Sequence, residues 1–203
     1  MTIPYPVIAP VVEGHGEEKA LQGLLHRLVP HLREGAYADI QPAYRLPHDR
    51  MLKLEPLSQA LTIVTARRPC PTAVLVLLDA DDDCAVELAT QIHSLARNSH
   101  AHVPLTAVVA VREFEAWFLA GRMGLPHDLA PPPNPEAIRG AKEWLSDRMP
   151  LGSTYRPPAH QPSFVQYFDL DAARHAAPSF DKLCREILRF LERPTAEREG
   201  EAL

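Results

Sequence analysis

Long hydrophobic runs are absent from this chain of 203 residues. No apolar stretch approaches the roughly 20 residues that a membrane-spanning helix requires, so we expect no membrane span. The N-terminus also lacks a basic segment followed by an apolar core and a small-residue cleavage site, and it therefore shows no secretory signal. These absences predict a cytoplasmic protein that does not associate with a membrane.

Two kinds of motif are also missing. The chain has only three cysteines, Cys70, Cys84 and Cys184, which are scattered and form no CxxC pair. An odd number of isolated cysteines indicates neither a disulfide framework nor a zinc ribbon, so we expect free thiols. Neither GxxxxGK[ST] nor GxGxxG occurs, and nucleotide binding of those two kinds is therefore unsupported.

Positive charge is in short supply, because 26 Asp and Glu residues outnumber 21 Lys and Arg residues and leave a net charge of −5. A chain of this charge is not expected to coat nucleic acid by electrostatics alone. A nuclease is still compatible with it, because an acidic metal site contributes much of the negative charge and a bound metal offsets that charge. Affinity for a polyanion would then depend on metal or on a partner.

Hydrophobic residues make up 46% of the chain, which is enough for one sizeable core. Runs of Val, Ile and Leu without alternation predict strands that are buried on both faces of a parallel sheet, and residues 38–44 add a short strand. The long strands are predicted at residues 5–13, 72–79 and 104–111, and helices at 17–34, 54–64 and 86–95. The predicted fold class is α/β, with a mainly parallel central sheet flanked by helices.

We expect a single domain over residues 1–193, with a core at about 5–121 and a C-terminal extension at about 122–193. The extension is rich in proline, with five prolines from Pro126 to Pro135 and four from Pro150 to Pro162, and this composition predicts extended loops. Its predicted helices lie near residues 136–147 and 180–191. The polar tail at residues 194–203 is predicted to be disordered.

Acidic residues directly follow the first two long strands. Glu13 ends the first run, and Asp79-Ala80-Asp81-Asp82-Asp83 ends the second. All strands of a parallel sheet open on one edge, where ligands of such folds bind. Carboxylates clustered there repel one another unless a cation or basic groups neutralise them. Hard carboxylate oxygens suit Mg²⁺ or Mn²⁺, so we predict a site for one of these ions at this edge.

Simpler explanations account for part of this acidic set. Asp82 and Asp83 are typical of a helix N-terminus, where carboxylates interact favourably with the helix dipole. Asp79 fits that explanation poorly, because it directly ends a buried strand. A calcium-binding D-x-D-x-D loop also fits poorly, since Cys84 stands where that loop needs Gly and Thr90 stands where it needs Glu.

Two further acids, Glu113 and Glu115, begin a predicted helix after the third strand. The helix dipole is enough to explain them. They would nevertheless lie on the same edge as Glu13 and Asp79, beside Arg112, where a second metal or a phosphate could bind. The predicted metal ligands are Glu13, Asp79, Asp81, Asp83 and Glu113. A basic rim for a phosphate backbone is expected if the following residues share a face: Arg45, Arg50, Lys53, Arg67 and Arg68.

These acidic motifs resemble those of the Toprim domain of topoisomerases, bacterial-type primases and OLD-family nucleases, which has a Glu after its first strand and a DxD motif after a later one. More closely, the chain resembles a Toprim-like family catalogued as domain of unknown function 4276. The matching segments are Val12-Glu13-Gly14 with Glu17, Asp79 to Asp83, Arg112 to Trp117, and Ser179 to Leu183. The resemblance therefore spans nearly the whole chain.

The resemblance implies magnesium-dependent phosphodiester chemistry, with Asp79 and Asp81 as metal ligands and Glu13 as a ligand or general acid/base. The additional catalytic modules of topoisomerases and primases have no counterpart in this sequence. Hydrolysis by a metal-bound water, which is a nuclease reaction on DNA or RNA, therefore fits best. The predicted catalytic residues are Glu13, Asp79, Asp81 and Glu115, and Glu115 with Glu113 would hold or orient a second cation.

Two other hypotheses stay open. Members of the resembling family are similar to accessory nucleases encoded near AAA or ABC-type ATPases in bacterial defence loci, which suggests an ATPase as partner. The chain would then be a non-catalytic Toprim-like subunit that docks onto the ATPase and senses metal or nucleotide. A receiver-like phosphotransfer module is the third hypothesis. It requires a Lys at a later strand end, where this sequence has Arg112.

Overall fold

A computed structural model describes residues 5–68, 72–123 and 132–192 of the chain. The strands are β1 (Val7–Val12), β2 (Asp39–Ile40), β3 (Tyr44–Arg45), β4 (Thr72–Asp79) and β5 (Leu105–Ala110). The helices of the first part are α1 (His15–Leu32), α2 (His48–Met51), α3 (Leu54–Thr65), α4 (Ala85–His100) and α5 (Glu115–Ala120). A 3-10 turn (Pro135–Ala137) then precedes α6 (Ala141–Ser146), α7 (Pro157–Phe164), α8 (Leu170–Ala176) and α9 (Pro178–Glu192).

The described strands form one parallel sheet in the order β2-β1-β4-β5. The strand β3 pairs with the same edge of β1 as β2 does, but nearer the carboxyl end of β1. The predicted strand at residues 38–44 is thus divided into β2 and β3. Pro10 of β1 explains the division. On the side of β1 that faces β2 and β3, the carbonyls of Ile8 and Val12 accept backbone hydrogen bonds. The nitrogen of Pro10 faces the same side between them, and it has no hydrogen to donate. The gap between β2 and β3 lies where no donor is available.

Helices cover both faces of the sheet. Alternate residues of each strand point to opposite faces, so Ile8 and Val12 pack with α1 whereas Ala9 and Val11 pack with α3 and α4. The chain leaves β1 in one direction to reach β2 and later passes back across β1 to reach β4. Because crossovers of parallel strands keep the same hand, this reversal places α1 on one face of the sheet and α3 and α4 on the other. The α/β class with a parallel central sheet flanked by helices is confirmed.

The C-terminal extension shares its core with the sheet. Phe168 before α8 and Phe180, Leu183 and Ile187 of α9 are buried in the same apolar cluster as α1 and α5. Within the described residues no helix is both long and apolar enough to cross a bilayer. The predicted disordered tail lies outside the described residues, as does most of the segment from Pro126 to Pro135.

One prediction for the extension was wrong. The segment predicted as an extended loop up to Pro162 contains a helix, α7, from Pro157 to Phe164. Pro157 and Pro158 occupy its first turn, where the backbone N–H groups have no partner within the helix and proline is therefore tolerated. Pro162 removes only one further bond. The packing of α7 against α1 supplies the stabilisation that the local sequence does not.

A buried polar contact fastens the extension to α5. The indole N–H of Trp117 donates to Ser179 Oγ at 2.7 Å. Ser179 in turn donates its backbone N–H, at 3.0 Å, and its hydroxyl to Glu136 Oε1. All three residues are buried. Burial raises the pKa of Glu136, and the bonds from Ser179 oppose that rise. The contact joins three separate parts of the chain.

We expect Ser179→Ala to lower the free energy of unfolding by about 1–3 kcal/mol, because it removes the hydroxyl that accepts the Trp117 N–H and removes one donor from Glu136. Urea unfolding measures this change. The control is Ser163→Ala on α7, an exposed serine whose replacement should change stability by no more than about 0.5 kcal/mol. Equal effects of the two substitutions would contradict the role given to Ser179.

Candidate functional site

The sheet topology selects one place for a ligand. The chain reverses direction across the sheet between β1 and β4, which are direct neighbours. In open α/β sheets the crevice outside the carboxyl ends of two such strands is where ligands bind. Glu13 directly follows β1, Asp79 is the last residue of β4, and the loop from Arg112 to Phe114 follows β5. The candidate site lies at this edge.

Glu13 and Asp79 are in direct contact. The backbone N–H of Asp79 donates to Glu13 Oε2 at 3.3 Å, and His48 Nδ1 lies 3.2 Å from the same oxygen. Asp79 Oδ1 accepts the backbone N–H of Phe114 at 2.8 Å. The carboxylates therefore connect the carboxyl ends of β1, β4 and β5, and their positions are fixed by backbone groups.

Glu115 enters the site from inside the protein. Its side chain is fully buried in the first turn of α5. Its Oε1 accepts the hydroxyl of Tyr155 at 3.0 Å and the amide of Gln161 at 2.9 Å, whereas its Oε2 has no hydrogen-bond partner. A buried carboxylate oxygen without a donor is costly unless a cation balances its charge.

Glu17 joins the cluster through Gln161. The Gln161 amide that donates to Glu115 also donates to Glu17 Oε1 at 3.1 Å, while Glu17 Oε2 and Gln161 Oε1 are buried without a hydrogen-bond partner. Glycines just before and inside the first turn of α1 leave room for these two side chains. A Cβ at Gly14 would lie 2.3 Å from Glu17 Oε2, and a Cβ at Gly16 would lie 2.0 Å from Gln161 Oε1.

One ammonium group lies among the carboxylates. Lys142, in the first turn of α6, places its Nζ 3.5 Å from Glu113 Oε1, 3.8 Å from Asp79 Oδ2 and 3.8 Å from Glu115 Oε2. Its backbone N–H also donates to Glu113 Oε2 at 3.2 Å. The extension thus contributes the positive charge that faces the strand ends.

Burial is the main cause of the raised pKa values of Asp79 and Glu115. Burial raises the pKa of Asp79 well above its usual range, Glu115, Glu17 and Glu13 raise it further, and Lys142 opposes them. Burial likewise raises the pKa of Glu115, against Lys142 and the bonds from Gln161 and Tyr155. For Lys142, burial acts to lower the pKa, but Glu115, Asp79 and Glu113 overcome it and raise it. The ammonium of Lys142 therefore opposes the rise of both carboxyl pKa values without cancelling it.

The structure separates the predicted site residues into two groups. Glu13, Asp79, Glu113 and Glu115 come together, whereas Asp81 and Asp83 lie exposed on the turn after β4. Asp81 has a positive φ of 48°, and its backbone N–H donates to the Arg112 carbonyl at 2.9 Å. The neighbouring Asp82 pairs with the guanidinium groups of Arg112 and Arg139. The turn therefore carries its own charge pairs beside the cluster.

Sequence reasoning assigned no role to several residues of the site. Lys142, Tyr155 and Gln161 lie in the extension, where no periodic pattern pointed to them, and His48 follows the short strand β3. Glu17 had a signal, because it is the second acid of the segment that begins Val12-Glu13-Gly14. The other four are recruited only by tertiary packing.

The chemistry of the donor set fits a hard divalent cation. It offers carboxylate oxygens, two of which, Glu17 Oε2 and Glu115 Oε2, are buried without a donor. In the arrangement described, however, no three His, Cys, Asp or Glu side chains among the described residues are close enough to hold a metal ion. The ammonium of Lys142 lies beside oxygens of Asp79, Glu113 and Glu115 instead. For these carboxylates to coordinate a metal ion directly, either Lys142 would have to move away or the carboxylates would have to move closer together.

A family model with the description "Domain of unknown function (DUF4276)" matches residues 12–188. The chain therefore belongs to this family. No curated protein and no solved structure matches the chain. The match covers every residue of the acidic cluster and the Trp117–Ser179–Glu136 contact.

In the absence of divalent metal, we expect Asp79→Asn to raise the free energy of unfolding at pH 7. Because the pKa is raised, the folded protein holds a proton on Asp79 more tightly than the unfolded chain does. The contribution of Asp79 to stability is then present at low pH and is lost as the pH rises from its ordinary pKa of 3.8 through the folded value. The gain of the variant should grow over this interval.

Urea unfolding between pH 4 and pH 7 with a chelator present measures this gain. Asp83→Asn is the matched control, since Asp83 is an exposed acid on the same edge and its replacement should change stability by no more than about 0.5 kcal/mol at either pH. A gain for Asp79→Asn that does not depend on pH would show that burial and charge repulsion are not its cause.

Proposed function

We propose, from the premise that the chain belongs to the DUF4276 family, that it is a divalent-metal-dependent phosphodiester hydrolase, a nuclease, related to the Toprim domain. One observation carries the proposal. The carboxylates of Glu13, Asp79 and Glu115 converge at the carboxyl ends of three neighbouring strands, and one oxygen of Glu115 is buried without a hydrogen-bond donor. The contact between a Glu after the first strand and an Asp after its neighbour, at 3.3 Å, supports the Toprim relationship.

The residues that would hold a cation divide into two sets. Asp79 and Glu13 form the first set and Glu113 and Glu115 form the second, whereas Asp81 lies on the exposed turn. When bound, Mg²⁺ or Mn²⁺ supplies a Lewis acid for a phosphate oxygen and lowers the pKa of a coordinated water. The backbone N–H groups of Asp79 and Phe114 hold the carboxylates of Glu13 and Asp79 in place for that purpose.

Proton transfer is assigned to Glu13 and His48. His48 Nδ1 lies 3.2 Å from Glu13 Oε2, so the carboxylate has a neighbour with which it can exchange a proton. Both side chains are partly exposed, at 29% for Glu13 and 25% for His48, and can therefore meet a substrate. Gln161 and Tyr155 act on Glu115 by positioning its carboxylate from within the protein.

A nucleic-acid substrate would reach the cluster along its open side. A depression beside the cluster is lined by Asp81, Asp82, Arg112, Glu113, Arg139 and Gly140. Its two arginines pair with Asp82 and could instead bind phosphate oxygens, which are common partners of guanidinium groups. The basic rim considered from the sequence is divided. Arg45 pairs in register with Val12 at this edge, whereas Arg68 pairs with Asp39 at the opposite end of β1.

The alternative is a non-catalytic subunit that docks onto an ATPase. The position of Lys142 among the carboxylates favours it, because an ammonium in that place offsets part of their negative charge without a metal. The net charge of −5 also favours it, since it weakens attraction to a polyanion. An AAA or ABC-type ATPase partner, a role in bacterial defence and a cytoplasmic location stay predictions from the family resemblance.

The test is cleavage of single-stranded DNA, double-stranded DNA and RNA by the full chain in Mg²⁺ or Mn²⁺. We expect Asp79→Asn and Glu13→Gln each to reduce the cleavage rate at least about 100-fold while the protein stays folded by circular dichroism. Glu87→Gln is the control, because Glu87 is an exposed acid in the first turn of α4, outside the cluster. It should retain the full rate.

Retention of wild-type cleavage by Asp79→Asn would overturn the proposal. The alternative function predicts a different result, in which the wild-type chain binds Mn²⁺ but cleaves none of these substrates. Loss of activity accompanied by unfolding would count for neither, so the circular dichroism spectrum of each variant is recorded with its rate.

A further inference from the structure

We propose that the ammonium group of Lys142 holds one cation position of the acidic cluster, so that removing it opens one additional site for a divalent cation. The inference rests on the proposed function only in that it takes the cluster to be a metal site. It assigns to a residue of the extension the charge that a second metal would otherwise supply.

The position of Nζ is the first argument. It lies 3.5–3.8 Å from oxygens of Asp79, Glu113 and Glu115, which come from the end of β4, the β5–α5 loop and the first turn of α5. Charge-assisted hydrogen bonds from an ammonium to a carboxylate are normally shorter, at about 2.7–2.9 Å. Nζ therefore makes one long hydrogen bond, to Glu113, and lies almost as close to the other two carboxylates, as a central cation would.

Glu115 supplies the second, independent argument. Its Oε2 is fully buried and has no hydrogen-bond donor, and its only described partner of opposite charge is Lys142 Nζ at 3.8 Å. Tyr155 and Gln161 satisfy the other oxygen alone. A buried carboxylate oxygen without a hydrogen-bond donor indicates that a cation lies beside it. The ammonium of Lys142 is the group in that position.

An ammonium and a second divalent ion cannot share these oxygens. Magnesium requires oxygens at about 2.0–2.1 Å, and two catalytic metals stand about 3.5–4 Å apart. A metal bound directly by Asp79, Glu113 and Glu115 would lie in the space that Nζ occupies. The side chain of Lys142 is 36% exposed, so it reaches the cluster from the solvent side. Replacing Lys142 with a shorter, uncharged side chain frees that space between the carboxylates.

The experiment counts Mn²⁺ ions bound per chain, by calorimetry and by electron paramagnetic resonance of free Mn²⁺, in the full-length protein at pH 7. Lys142→Met removes the charge and keeps the unbranched stem. We expect the number of bound ions to rise by one relative to wild type. Lys19→Met, at an exposed lysine on α1, is the matched control and should bind the wild-type number. Adding Glu115→Gln to Lys142→Met should remove the additional ion.

The outcomes separate the two proposals. An unchanged number in Lys142→Met overturns this inference, and if wild type binds one ion the proposed function still stands. A lack of Mn²⁺ binding by wild type and variant alike overturns both. If Lys142→Met does not fold without metal, it is refolded in Mn²⁺ and its ions are counted by metal analysis. A variant that folds under neither condition assigns Lys142 a purely structural role and overturns the inference.

Discussion

The parallel pairing of β1 with β4 is the constraint on which the site depends. It brings Glu13 and Asp79 to the same crevice and lets the Asp79 backbone donate to the Glu13 carboxylate at 3.3 Å. Burial and the Glu115 carboxylate raise the pKa of Asp79 most, and the carboxylates of Glu17 and Glu13 raise it further. The neighbouring structure is arranged around this charge, with fixed donors on some oxygens and an ammonium between others.

The C-terminal extension provides side chains that contact these carboxylates. Lys142, Tyr155 and Gln161 all come from it and all contact the acids of the strand ends. The same segment is anchored nearby, because Trp117, two residues after Glu115 on α5, bonds through Ser179 to Glu136. The segment that holds the extension in place therefore also shapes the site, although every strand in the described part of the chain lies in its first two-thirds.

The proposed chemistry and the proposed role of Lys142 share a physical basis. A cluster of acids with buried, undonated oxygens is stable only with a positive charge close by, and either a metal ion or a lysine can provide it. The two readings of the family, nuclease and non-catalytic subunit, differ in which of these charges dominates. A site that holds one metal and one ammonium is compatible with hydrolysis. A site that holds the ammonium alone is compatible with the non-catalytic subunit.

The sequence by itself determined the α/β class, the ends of β4, and the presence of Glu13 and Asp79 at the sheet edge, because these follow from hydrophobic runs and from the single open edge of a parallel sheet. It did not reveal the helix that contains Pro157, or that Asp81 and Asp83 turn outward while Glu115 turns inward. Only the tertiary structure decided which distant residues meet those acids. Lys142 and Gln161 reach them through the packing of α6 and α7, and packing between remote segments leaves no periodic trace in the local sequence.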